Sequence, residues 1–217
     1  QLSHMGLDTW SISVIRRLRD AIGRIRPERI IEIGGGIGHR SAWIFDLIEQ
    51  DDWKPIRYDI VENGAKFGVI IHRLMTRYGA EDWTKIVVGE LDSLIAETNA
   101  WSAASKSGIE VGDSPIQPIA DVIIVDEAHH LQYHQNKPSA QYQLVEALGQ
   151  RAGSLLLLTA TPQQLGLQSH FARLRLLDPN RFSDFEVFKE ETANYEPVAK
   201  LCQKIIANED LRKSELD

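Results

Sequence analysis

Two short stretches carry residues able to do chemistry. Ala120 to Leu131, ADVIIVDEAHHL, is a run of Val and Ile that delivers Asp126 and Glu127 side by side. An apolar strand ending in two adjacent acids can hold Mg²⁺ with one carboxylate and align an attacking water with the other. Such acids work beside a glycine-rich loop whose Lys and Ser/Thr grip phosphates in the pattern G-x-x-x-x-G-K-[ST]. That pattern is absent from all 217 residues. The glycine loop that is present, EIGGGIGHR, has no lysine. ATP is therefore not an expected ligand.

That loop supports a different reading. Glu32, Gly34, Gly35, Gly36 and Gly38 fall between an apolar run and a helical pattern, where the backbone can turn sharply and a ligand can lie against it. The next apolar run ends at Glu62. An acid placed there can accept hydrogen bonds from both hydroxyls of an adenosine ribose. The same residues also suit a tight strand–helix connection followed by a helix cap. His130 and His134, with His129 nearby, have a spacing open to metal binding, but no third ligand is implied and no metal is expected.

The elements that must position these groups alternate. Helical spacing marks Thr9 to Ile25, with Trp10, Val14, Leu18, Ala21 and Ile22 on one face, then Gly38 to Glu49 and Ala65 to Tyr78. Strands are expected at Arg29 to Ile33, Ile56 to Val61, Lys85 to Val88, Val122 to Val125 and Ser154 to Leu158. A helix over Leu91 to Ser105 and a Gly/Ser/Pro-rich loop to Pro118 lead into the fourth strand. Helices follow at Ala140 to Gln150, Ser169 to Leu177, Phe185 to Ala193 and Pro197 to Ala207. Strand–helix alternation predicts one α/β domain over 1–217, a three-layer, mainly parallel five-stranded sheet covered by helices on both faces.

Bulk properties narrow the class. A 217-residue chain with 43% hydrophobic residues can bury one substantial core. The net charge of -7 argues against gripping a nucleic-acid backbone. Cys202 stands alone, so neither a disulfide framework nor a cysteine zinc site is expected. No apolar run approaches the roughly 20 residues that span a bilayer, and a soluble, cytoplasmic monomer is expected. The opening Ser3-His4-Met5 is read as a cloning remnant.

Two resemblances cover the chain. Residues of about 7–125 resemble class I S-adenosylmethionine-dependent methyltransferases, whose first motif E/D-x-G-x-G-x-G is matched by Glu32, Gly34, Gly36 and Gly38 and whose second acid is matched by Glu62. An NAD fingerprint spaces its last glycines more widely. The resemblance implies S-adenosylmethionine as cofactor, its methionine end near Glu32 and the glycines, its ribose on Glu62 and its adenine edge near Asp92. Residues of about 121–217 resemble part of the first RecA-like lobe of the RNA-polymerase-associated ATPase of the SWI/SNF type. This rests on DEAHHL, on LLLLTATPQQLG and on SHFARLRLLDPNRF. It implies nucleotide-linked roles for Asp126, Glu127, His129 and the turn Thr159-Ala160-Thr161. Without the phosphate loop, Asp126 and Glu127 are expected to be inherited acids, solvated and idle.

Both families build on Rossmann-like sheets, so the expectation is a chimera, recombined or engineered, of a methyltransferase-like half (7–120) and an ATPase-like half (121–217). The first half favours strand order 3-2-1-4-5; the ATPase lobe would give 3-2-1-5-4. The expected function is a Rossmann-like domain without evolved turnover, with at most weak S-adenosylmethionine binding. The alternatives are a working methyltransferase and a fragment that binds RNA polymerase or nucleic acid.

Overall fold

Five short apolar runs form the strands β1 (Arg29–Ile33), β2 (Arg57–Glu62), β3 (Thr84–Val88), β4 (Ala120–Val125) and β5 (Ala152–Leu157). The computed structural model describes residues 11–88, 120–133, 138–159 and 166–206, with side chains to 195 in the last helix. Every pairing is parallel, in the order β3-β2-β1-β4-β5. The order expected from the first half is the one formed. β5 lies outside β4, with Ile124 opposite Leu156, and does not enter between β1 and β4.

The register explains the composition of the strands. β1 and β4 have a neighbour on each side and helices on both faces, so Ile30, Ile31, Ile33, Val122, Ile123, Ile124 and Val125 are all buried. At the sheet edge, Leu155, Leu156 and Leu157 of β5 are only half-buried. Arg29 N–H donates to Asp121 Oδ2 at 2.9 Å, joining positions 92 residues apart where β1 and β4 begin.

Helices cover the two faces separately. α1 (Ile12–Ile25), α2 (His39–Gln50) and α3 (Ala65–Arg77) pack on the face that carries Ile30, Tyr58, Ile60, Val122 and Ile124. α1 contributes Ile15, Leu18 and Ile22, spaced by three and four residues as one buried helix stripe requires. α4 (Ala140–Gly149) and α5 (Gly166–Leu177) cover the opposite face with Tyr142, Leu144, Val145, Leu148 and Ala172, over Ile31, Ile33, Ile123 and Val125. Ser139 starts α4 by accepting the Tyr142 N–H at 3.2 Å.

The C-terminal helix departs from expectation. Two helices divided at Pro197 were expected; the backbone forms one helix, α6 (Phe185–Ile206), of 22 residues. Proline withholds a single backbone donor, and intact turns on both sides carry the helix past it. The expected helix over Leu91 to Ser105, the loop to Pro118 and Asp92 lie outside the described residues, as do His134 and residues 160–165. Among the described residues no helix is long and apolar enough to cross a membrane.

Candidate functional site

Both sequence motifs arrive at the same end of the sheet, because β1 and β4 are adjacent and parallel. The glycine loop leaves β1 at Ile33, and the acidic pair leaves β4 at Val125. Asp126 N–H donates to Ile33 O at 2.9 Å, so the two exits are tied backbone to backbone.

The loop turns most of its donors inward. Gly34 and Gly35 N–H both reach Val61 O, at 2.9 and 3.1 Å, and Gly38 N–H reaches Gly35 O at 3.0 Å. Gly36 N–H donates to Glu62 Oε2 at 2.6 Å, and Gly64 N–H to Glu62 Oε1 at 2.7 Å. Glu62 is buried, yet among the described residues it pairs with no cation. Two of the glycines play opposite parts. A Cβ at Gly35 would stand 2.7 Å from Ile60 Cγ2 and 2.8 Å from Ile71 Cδ1, so this glycine exists for packing. At Gly36, with φ of 55°, no heavy atom of the described residues lies within 4 Å of that position, and a ligand can approach the backbone there.

Arg40, outside both sequence motifs, organises the site through Glu32. Glu32 alternates onto the same face as Ile30, which drives its carboxylate into the core beneath α2. It is 0% exposed and is met by three donors. Arg40 Nε donates at 3.1 Å, Ser41 Oγ at 2.9 Å, and the Tyr58 hydroxyl closes the set. The Arg40 guanidinium, also buried, donates through Nη1 to Asp126 Oδ2 at 2.6 Å and through Nη2 to Gly34 O. Its planar fork lets one side chain span β1, the loop and β4.

Asp126, expected from the sequence to be solvated, is instead largely enclosed. A cation from the first turn of α2 holds it because strand order 3-2-1-4-5 places its exit beside the glycine loop. Burial alone would lower the Arg40 pKa; the Coulombic attraction of Glu32 and Asp126 outweighs it and holds the guanidinium above its ordinary value. Burial pushes the Tyr58 hydroxyl well above its usual range, and the Glu32 charge pushes it further. Next to this cluster, burial and then Arg40 lower His39.

Glu127 turns the other way. Its backbone is left-handed, φ 47°, and its half-exposed carboxylate oxygen Oε2 lies 3.0 Å from His129 Nδ1. The ring centres of His129 and His130 lie 4.0 Å apart, with the planes tilted by 40°. Among the described residues, no three His, Cys, Asp or Glu side chains gather as a metal site would need.

The family assignment comes from the second half and the elements before it. The model of the SNF2-related domain matches residues 72–214, well over half of the chain. The chain belongs to the SNF2-related domain family. The matched segment begins within α3 and takes in β3 as well as everything from β4 onward. RNA polymerase-associated protein RapA of Klebsiella pneumoniae is 56% identical over 97 residues, 45% of this chain. The aligned part is 10% of that relative, so the chain spans about a tenth of its length.

Among solved structures, methyltransferases are similar to this chain. A methyltransferase from Geobacter sulfurreducens superposes with a TM-score of 0.50 at 14% identity, over 79% of this chain and 74% of that one. An O-methyltransferase from Bacillus cereus in complex with SAH gives 0.45 at 16% identity, over 69% and 57%. The first of these matches shows a methyltransferase-like, Rossmann-like fold. An SNF2-related sequence and a methyltransferase-like sheet therefore meet in one chain.

For S-adenosylmethionine the fit divides. The ribose end fits: Glu62 offers a buried carboxylate, without a cation partner among the described residues, beside the open backbone of Gly36. The cationic end does not fit, because Glu32 is fully enclosed among three donors and Asp126 already holds Arg40.

Proposed function

We propose that this chain is a chimeric Rossmann-like domain that binds a nucleoside-type ligand weakly at the glycine loop and Glu62 and catalyses no turnover. Its single domain would combine a methyltransferase-like half (7–120) with an ATPase-like half (121–217). The observation that carries the reading is the Arg40 clamp. It takes Glu32 from the first motif and Asp126 from the second, so neither acid is at the disposal of a substrate. The inward-turned amides of Gly34, Gly35 and Gly38 likewise leave no cradle for a triphosphate. Phosphoryl transfer is almost wholly positioning and charge neutralisation, and without lysine and cradle it has neither.

The test has two arms. Thermal-shift and calorimetric titration with S-adenosylhomocysteine should give saturable binding at about millimolar concentration. Phosphate release from ATP and Mg²⁺ should stay at the level of a protein-free control. Crystals with the triphosphate between Gly36 and Asp126, accompanied by hydrolysis, would overturn the proposal.

The 56% identity over 97 residues with an RNA-polymerase-associated protein favours one second reading. In it, the ATPase-like half keeps a surface for a protein partner. Co-sedimentation with purified RNA polymerase checks this directly, and free sedimentation of the chain removes it.

A further inference from the structure

The charges around the glycine loop do not suit the ligand that the fold suggests. S-adenosylmethionine has a neutral nucleoside and a charged amino-acid tail with a sulfonium. A cationic tail needs a carboxylate with spare lone pairs. Glu32 cannot reach a ligand: it is fully enclosed, with Arg40, Ser41 and Tyr58 as its donors. The Gly34 carbonyl is taken by Arg40, and Asp126 Oδ2 is held at 2.6 Å by the same guanidinium. A second cation brought to this end of the loop meets acids already engaged by Arg40, not a vacant acceptor.

The other end of the loop differs in kind. Among the described residues, only backbone amides, those of Gly36 and Gly64, are aimed at Glu62. A carboxylate has about four lone-pair sites, so two remain, and a vicinal diol has two donors to fill them.

We infer that the site selects a ribonucleoside through Glu62 and is indifferent to the charged tail, with Arg40 as the residue that sets this specificity. The inference rests on the proposed nucleoside site and sharpens it. The ligand class is an uncharged nucleoside with a free cis-diol. Tail-bearing relatives such as S-adenosylmethionine bind through the same nucleoside contacts alone.

Calorimetric titration of the full chain near neutral pH decides the matter, using adenosine, 2′-deoxyadenosine, S-adenosylhomocysteine and S-adenosylmethionine. Adenosine should bind within about fivefold of both tailed ligands or more tightly, and 2′-deoxyadenosine at least about tenfold more weakly than adenosine. Either tailed ligand binding more than about fivefold tighter than adenosine overturns the inference while leaving the nucleoside site standing. Equal binding of the deoxynucleoside overturns the role of Glu62. No heat from any of the four removes the site and the inference together. In Arg40→Gln, release of both acids should shift the ratio at least about fivefold toward S-adenosylmethionine, and an unchanged ratio counts against Arg40. Should that variant not fold, the wild-type ratios alone still decide.

Discussion

Replacing Arg40 by Met tests whether the clamp holds the domain together. The guanidinium is buried between a fully enclosed carboxylate, Glu32, and one at 11% side-chain exposure, Asp126. Removing one member of a buried ion pair typically costs about 3–5 kcal/mol, because the partner is left charged and dry. Two details of the site pull the value toward the lower bound. Glu32 keeps the Ser41 and Tyr58 donors, and Asp126 lies close enough to the surface to recruit water. A loss of about 3 kcal/mol is expected, a large share of the roughly 5–15 kcal/mol of a typical domain. With a urea slope of about 2–3 kcal/mol per molar, the unfolding midpoint should fall by about 1–1.5 M. Arg40→Lys keeps the charge but not the fork, and should recover only part of the loss. Adding Glu32→Gln to Arg40→Met removes the stranded buried charge and should restore about half of the stability. A midpoint shift below about 0.3 M for Arg40→Met would refute the clamp as a structural element.

Two further outcomes follow from the loop and its neighbours. Gly35→Ala should cost about 1–3 kcal/mol by overpacking against Ile60 and Ile71, whereas Gly36→Ala, with open space but a positive φ, should cost about 1 kcal/mol and mainly weaken nucleoside binding; thermal melts and titration separate the two. His39 and His170 both have folded pKa values below the unfolded 6.5, through burial first and then Arg40 and Arg173 respectively. Their neutral forms therefore cost nothing above that value; as pH falls below it, the unfolded chain takes up protons first and stability declines until the folded pKa values are passed. Melting temperatures measured downward from neutral pH should fall less steeply in the double variant His39→Gln, His170→Gln.

Much of this arrangement was legible in the chain. The Val/Ile run before Asp126, the glycines before His39 and the acid at Glu62 fix strand, turn and strand end by local chemistry alone, and their order along the sequence makes a parallel sheet the economical solution. The edge position of β5 was readable only as a preference, because four consecutive leucines suit a central or an outer slot equally well. Arg40 escaped notice for a different reason. A cation on the first turn of a helix usually faces water, and nothing local distinguishes it from Arg16 or Arg17 on α1, which are exposed. Its role depends on a residue 86 positions away, reached only once β4 has docked. Pro197 misled in the opposite direction: it is a strong local stop signal that a long helix overrides.

The central ladder has a kinetic consequence. β1 finds β2 soon after both are made, but its other neighbour lies far downstream: Asp121, which Arg29 meets, is 92 residues away. A parallel pairing across that distance must close a long stretch of chain before any contact compensates for the lost freedom, which places refolding in the range of about milliseconds to seconds. Until then the Ile31–Ile33 face of β1 stays wet and adhesive, and dilute protein should give a higher refolding yield than concentrated protein.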